Sequence, residues 1–362
     1  MNKAIKKYTG SLLMLAMLCF AAVLSSCKHE NLTIPEPNAN IRPAADFIKN
    51  NYDFRLFNAA LEYTGLTDEL NGTGPFTILA LTDAAFNQEG IRTVADIHKL
   101  NKDSLRRVMQ YHVIKGRRLL TTDIPTNAID LRYETLSGDQ LYLSSVTSDK
   151  RYFFDGAMTL RTDVTLANGV LHVLAKMMKY HKGTTVQQLL EGNRRYSIYV
   201  AGLKKFGLWN DLAGDGPFTV FAPTDSAFKA NNITAADIED LNPSAYNGGR
   251  LMGVYIMRQK HFFVSDKYVF KSIGGEYTYE ITIPNDTWFL RFNTVEMYED
   301  RWLSYPQFDV MDPGGQWGAT VISSYYPRAP LPAIAGFDHR CENGLVHDLP
   351  ALLLTPQQAL NQ

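Results

Sequence analysis

Apolar residues fall at helical intervals in two places 142 positions apart. Leu56, Phe57, Ala60, Leu61 and Leu66 form one such face, and Ile198, Tyr199, Gly202, Leu203 and Leu208 form the other. Each face is followed by Gly-Pro, a turn signal, and then by an apolar run of strand character, Phe76 to Ala80 or Phe218 to Ala222. Each run ends in Thr-Asp. This reads as the start of a further helix, with Asp83 or Asp225 accepting hydrogen bonds from that helix's first free amides and complementing its positive end. Phe86 and Phe228 then fall one turn in, where an apolar anchor packs the helix onto the sheet.

The pattern is an internal repeat. Residues 52–86 and 194–228 align without a gap and match at 15 of 35 positions, too many for chance similarity between two helix-turn-strand segments. A second block recurs near each end, with Ala167-Asn168-Gly169-Val170-Leu171-His172-Val173-Leu174 facing Glu342-Asn343-Gly344-Leu345-Val346-His347-Asp348-Leu349. Asn-Gly supports a tight hairpin turn with a returning strand after it. Between these lies a third match, residues 107–119 with 250–262, carrying Tyr111-His112 in one copy and Val254-Tyr255 in the other. With 362 residues, 45% of them apolar, the chain can fill two sizeable cores, and a domain count of two agrees with the repeat.

The first 26 residues read as a targeting segment, with Lys3, Lys6 and Lys7 before an apolar run from Leu12 to Leu24 that is short for a membrane span. The run ends in Leu24-Ser25-Ser26-Cys27, which resembles a bacterial lipobox. The resemblance implies diacylglyceryl attachment to Cys27, cleavage before it, and two acyl chains holding the protein to a membrane. Residues 27–43 are then the lipidated cysteine and a tether rich in proline, and Lys28-His29-Glu30 weakly resembles the sorting stretches that send lipoproteins of Bacteroidetes-like bacteria to the outer face. The expected location is the cell envelope, as a surface-exposed outer-membrane lipoprotein. Cleavage removes three lysines and leaves 33 basic against 37 acidic side chains, so no basic patch points to nucleic acid. With Cys19 lost and Cys27 lipidated, Cys341 has no partner for an internal disulfide.

The three ordered blocks resemble the fasciclin-like (FAS1) domain. Gly216-Pro217-Phe218-Thr219-Val220-Phe221-Ala222-Pro223-Thr224-Asp225-Ser226-Ala227-Phe228 and Asn168-Gly169-Val170-Leu171-His172-Val173-Leu174 resemble its two signature blocks, and Tyr111-His112 resembles the Tyr-His pair between them. The resemblance covers residues 44–180 and 184–354. It implies an α/β (α+β) fold in which each of two tandem copies is a bent β-sandwich or wedge with helices along one edge. Two departures stand out: Leu81 sits where the family usually has proline, and the second copy lacks the Tyr-His pair.

Candidate sites are few. Tyr111 and His112 form either a recognition site, as the resemblance implies for some adhesive members, or an interior polar pair with backbone partners. His172 and His347 occupy matching strand positions and are expected to be buried and hydrogen-bonded. His339, Cys341 and His347 form a Cys/His cluster that matches no zinc spacing, so no metal or other cofactor is expected. No catalytic motif of the nucleophile-elbow, zincin or P-loop kind occurs. Phe86 and Asn168 are 82 positions apart and Phe228 and Asn343 are 115 apart, so the second copy carries about 33 additional residues, assigned to 284–337. That segment holds Trp288, Trp302 and Trp317 with Tyr298, Tyr305, Tyr325 and Tyr326, either a platform for a protein or sugar or a local core or seam. The expected function is a lipid-anchored, non-enzymatic binding or adhesion protein with a protein or polysaccharide partner. The alternative is a glycan- or peptide-capturing accessory of an outer-membrane uptake system.

Overall fold

A computed structural model describes residues 41–146, 150–274, 278–283, 286–293, 307–314, 318–325 and 336–361. Cys27, the targeting segment and the tether up to residue 40 lie outside the described residues, as do Tyr298, Trp302, Tyr305, Trp317 and Tyr326. Two tandem α+β copies follow. In the first copy the strands are β1 (Phe76–Leu81), β2 (Val113–Lys115), β3 (Leu131–Glu134), β4 (Gln140–Val146), β5 (Arg151–Phe154), β6 (Ala157–Leu166) and β7 (Gly169–Leu174). They form one sheet in the order β2-β1-β7-β6-β5-β4-β3. β6 carries two register shifts, at Thr159/Arg161 and Arg161/Val164, so one long strand serves both halves of a bent sheet.

The second copy repeats this plan with the bend opened into a break. A short connecting strand β8 (Lys179–His181) precedes β9 (Phe218–Pro223), β10 (Ile256–Arg258), β11 (Thr278–Thr282), β12 (Phe289–Asn293), β13 (Gln307–Asp312), β14 (Thr320–Tyr325), β15 (His339–Cys341) and β16 (Gly344–Leu349). These make two sheets, β10-β9-β16-β15-β8 and β11-β12-β13-β14. The described parts of the segment read as an added insertion are therefore largely scaffold. β12, β13 and β14 build the second sheet, and extra length falls in connections such as residues 294–306, thirteen residues where four, 147–150, join β4 to β5. β8 pairs with β15, so a sequence boundary at residue 180 cuts through a strand that belongs to the second copy's sheet.

The two signature blocks meet in the middle of each copy. β1 lies parallel to β7 with Phe76 opposite Gly169, and β9 lies parallel to β16 with Phe218 opposite Gly344. All six positions of β1, of β7 and of β9 are buried, the run expected of strands covered on both faces. The start of this pairing is so close that a Cβ on Gly169 would stand 2.0 Å from the Phe76 carbonyl oxygen, and one on Gly344 2.0 Å from that of Phe218. Glycine is required there by contact.

The asparagine before each of these glycines does more than turn the chain. Asn168 Nδ2 donates to the carbonyls of Leu70 (2.8 Å) and Gly72 (2.7 Å), and its Oδ1 accepts from Ala44 N (3.0 Å), the first amide of the helix Ala44–Lys49. Asn343 repeats the set with Leu212 O (3.0 Å), Gly214 O (2.7 Å) and Val186 N (2.8 Å), the first amide of the helix Val186–Gly192. One side chain thus joins the hairpin, the loop before the Gly-Pro turn and the entry helix.

The aspartates of Thr-Asp correct the sequence reading. Thr82, not Asp83, caps the helix Asp83–Gln88, accepting from Ala85 N at 3.2 Å. Asp83 reaches across to the preceding helix, Arg55–Thr64, where Oδ1 accepts from Leu56 N (2.7 Å) and Oδ2 from Arg55 Nε (3.2 Å). Asp225 does the same for the helix Ser197–Lys205 through Ile198 N (3.0 Å) and Ser197 Oγ (2.6 Å). That preceding helix starts after a residue without a capping side chain, Phe54 or Tyr196, so its free amides are satisfied from a distance.

Asn343→Ala, which strips three hydrogen bonds from a site only 8% exposed, is expected to cost about 2–4 kcal/mol, and the half-buried Asn168→Ala about 1–2 kcal/mol. Urea midpoints of the two variants against the wild type measure this; midpoints that do not move would remove the asparagines from their linking role.

Candidate functional site

The helix Lys102–Tyr111 ends on the Tyr-His pair and turns into β2, which sends both side chains inward. His112 is fully buried and its Nδ1 lies 2.8 Å from Val108 O, so that nitrogen carries the proton. Nε2 accepts from Met178 N at 3.1 Å. Burial pushes this histidine down to about 4, and it is neutral at ordinary pH. His172 and His347 form a matched pair in β7 and β16. Their Nε2 atoms face Leu119 O (2.8 Å) and Phe262 O (3.0 Å), and their Nδ1 atoms accept from Asp163 N (3.3 Å) and Asp338 N (2.9 Å).

Tyr111 is the centre of a polar cluster shared by the two copies. Its hydroxyl donates to the carboxylate of Asp155 and accepts from Arg340 Nη1 at 2.7 Å, and the same guanidinium nitrogen donates to Gln140 O at 2.6 Å. The Arg340 guanidinium lies 4.6 Å from the Tyr142 ring centre and 4.3 Å from that of Tyr180. Asp155 also accepts from Tyr142 N at 2.7 Å. Burial raises the Asp155 carboxyl to about 6 against the opposing pull of Arg340, and burial with the Asp155 charge holds the Tyr111 hydroxyl far above its ordinary value.

Two further contacts join the copies. Lys176, 7% exposed at the side chain, pairs with Asp338, 3% exposed, and Asp338 also accepts from Val264 N at 3.0 Å. Burial opposes the Asp338 charge, but Lys176 and then His347 outweigh it and hold the carboxyl below its usual range. The helix Asp266–Gly274 of the second copy rests on β4 and β5, with Ser144 Oγ donating to Asp266 Oδ1 at 2.9 Å and Phe153 stacked on Tyr268 at 5.9 Å. Buried ion pairs gain little stability over an apolar seam but are costly to break one-sidedly, which suits a single fixed arrangement.

The remaining sequence candidates separate. His339, Cys341 and His347 do not converge: His339 faces His181 at 3.3 Å, Cys341 is buried with its thiol pushed up to about 12 by burial, and His347 faces Phe262. Among the described residues no group of three or more His, Cys, Asp or Glu side chains comes together to hold a metal. For Trp288 the candidate binding role is corrected, and of the two readings of the aromatic segment it takes the local-core one. It is 5% exposed within the second copy's core and is covered by Arg250, whose guanidinium is 3.9 Å from the ring centre and is ion-paired to Asp286 (Arg250 Nη2 to Oδ1 3.0 Å). Tyr325 is half-buried against Phe308. Sequence reasoning missed Arg340. The signal was a charged residue inside a short strand next to the second Asn-Gly block, where the aligned position of the first copy holds Thr165.

Arg340→Ala leaves the Asp155 carboxyl buried without its cation and is expected to cost about 3–5 kcal/mol in urea unfolding. A loss under 1 kcal/mol would show that the cluster is incidental. The histidines set a pH dependence. His112, His172, His181, His261, His339 and His347 all have lowered proton affinity from burial, about 4 for His112 and about 3 for His261. The unfolded chain takes these protons first, near pH 6.5, so stability is complete above that pH and falls as the pH drops toward 4. His112 alone contributes about 3 kcal/mol to the fall. Asp155, raised to about 6, and Asp130 and Asp266, both raised by burial, act in the opposite sense, three groups against six. Urea midpoints at pH 7, 6 and 5 test this; a flat profile would contradict it.

Comparison with known proteins agrees with the repeat. Residues 52–180 and 194–282 match the model of the Fasciclin domain. Rat (Rattus norvegicus) stabilin-2 is 29% identical over 175 residues, 45% of this chain and 12% of stabilin-2. Human (Homo sapiens) periostin is 24% identical over 189 residues, 52% of this chain and 22% of periostin. The protein sll1483 of Synechocystis is 28% identical over 129 residues, 35% of this chain and 68% of its own length. The chain thus spans about an eighth to a quarter of the two animal relatives. A solved FAS1 domain pair from the insect cell adhesion molecule fasciclin I aligns over 86% of this chain and 99% of its own, at 18% identity and a TM-score of 0.34. The chain belongs to the Fasciclin domain family and carries that domain twice.

Proposed function

We propose that the protein is a lipid-anchored, surface-displayed binding or adhesion protein that acts without catalysis, through protein or glycan contacts. The observation that carries this reading is the joining of two fasciclin copies by buried charge. Arg340 is held between Tyr142 and Tyr180 on Tyr111, and Lys176 is held on Asp338. Side chains whose proton affinity is strongly shifted, Tyr111, Asp155, Asp266 and the buried histidines, are engaged in holding backbone or partner groups in place. A joined pair presents its surface loops at fixed spacing, which lowers the ordering cost of binding an extended partner. Capture of a glycan for an uptake system loses Trp288 as a candidate, because it is a core residue; the aromatic candidates Trp302, Trp317, Tyr298 and Tyr305 lie outside the described residues.

Attachment through Cys27 supplies the location. Incorporation of labelled palmitate into the wild type and its loss in Cys27→Ser is the expected result; equal labelling of both would remove the anchor from the proposal. Binding is measured with the purified chain on arrays of matrix proteins and of polysaccharides. Saturable binding to at least one class is expected, and a chain that ignores both while folded would overturn the binding reading.

A further inference from the structure

Beside Tyr111 a cavity of about 180 Å³ opens between the helix Lys102–Tyr111, the turn before β4 and the strand β8 that leads into the second copy. Drug-sized ligands occupy about 300–1,000 Å³, so this space takes one side chain or one small ring. Its apolar lining includes Val108 and Met178. Its charged lining consists of Arg107, Lys182 and Asp139, and Lys182 already neutralises Asp139 across 2.9 Å. Arg107 is exposed and its guanidinium makes no hydrogen bond or ion pair among the described residues. One cation is therefore left over, at the edge of a partly apolar hole.

We propose that this cavity is a subsite for a single acidic side chain, glutamate or aspartate, presented by a protein partner. The proposal rests on the binding reading above and deepens it. The methylene part of such a side chain meets Val108 and Met178, and the carboxylate meets Arg107, whose planar fork matches it in two parallel hydrogen bonds. A sugar fits the lining less well. Tyr180, the ring that would offer a stacking face, already carries Arg340 at 4.3 Å and Tyr111 at 5.2 Å, and the Ser137 hydroxyl is engaged by Asp139 and Thr135. Because Tyr180 and Tyr111 line the cavity and also hold Arg340, an occupant touches the side chains that join the two copies.

The test is a chemical-shift titration of the 15N-labelled full chain with the peptide acetyl-Gly-Glu-Gly-amide, its Gln counterpart, and glucuronate. The Glu peptide is expected to move amides of residues 104–111 and 178–182, and the Gln peptide to bind about tenfold more weakly. Arg107→Gln is expected to lower affinity for the Glu peptide by about tenfold, and Arg118→Gln, an exposed arginine outside the cavity, to leave it unchanged. Equal binding of the Glu and Gln peptides, or full affinity in Arg107→Gln, would overturn the subsite. Stronger binding of glucuronate than of the Glu peptide would replace the peptide with an acidic sugar and overturn it equally. Should no probe bind while the chain still binds matrix proteins or polysaccharides on the arrays, the subsite fails and the wider binding reading stands.

Discussion

Each copy is organised around one parallel strand pair, β1 on β7 and β9 on β16, made from segments about ninety to a hundred and twenty residues apart in the chain. Parallel pairing cannot be closed by a tight turn, so everything between the two strands becomes a crossover that must return to the same place. Contact fixes the place. The second strand starts on a glycine whose missing side chain lets it sit against the Phe76 or Phe218 carbonyl, and the asparagine before it ties that corner to the entry helix and to the loop before the first strand. The histidine three residues along, His172 or His347, then holds the end of the third block through Leu119 O or Phe262 O. The separate sequence blocks are thus parts of one hydrogen-bonded junction.

That junction tolerates large changes elsewhere. The first copy keeps a single bent sheet by register shifts within β6, whereas the second divides the same span into β14 and β15 with residues 326–338 between them. Both solutions deliver a strand antiparallel to the central one, Leu166 opposite Gly169 and Cys341 opposite Gly344. The longer connections of the second copy leave the central pair undisturbed because they join strands on the far side of it.

The elements governed by sequence neighbours were legible without coordinates. Gly-Pro turns, buried strands, the Asn-Gly hairpins and the amphipathic helix faces all depend on residues within a few positions of each other, and the repeat doubled each signal. What escaped was set by residues far apart in the chain. Asp83 looks like the first acidic residue of its own helix, and only folding brings it to the bare start of a helix 27 positions earlier. Trp288 has the composition of a recognition residue, but Arg250 and Asp286 close over it. Arg340 finds Tyr111 across 229 positions, a distance at which periodicity carries no information.

The contact between Arg340 and Tyr111 uses two positions at which the copies differ. The cradle for the arginine, Tyr111 with Asp155, Gln140, Tyr142 and Tyr180, is built on the first copy and its connecting strand, while the arginine comes from the second. At the matching positions the first copy has Thr165 in place of arginine and the second has Val254 in place of Tyr111. An interface that uses unlike patches on two similar units can propagate into an array unless each end lacks the complementary piece. Here each end does lack it, so the contact is complete at two copies. The tyrosine of the first copy is held in place by a buried cation, a load that Val254 at the matching position of the second copy does not carry among the described residues.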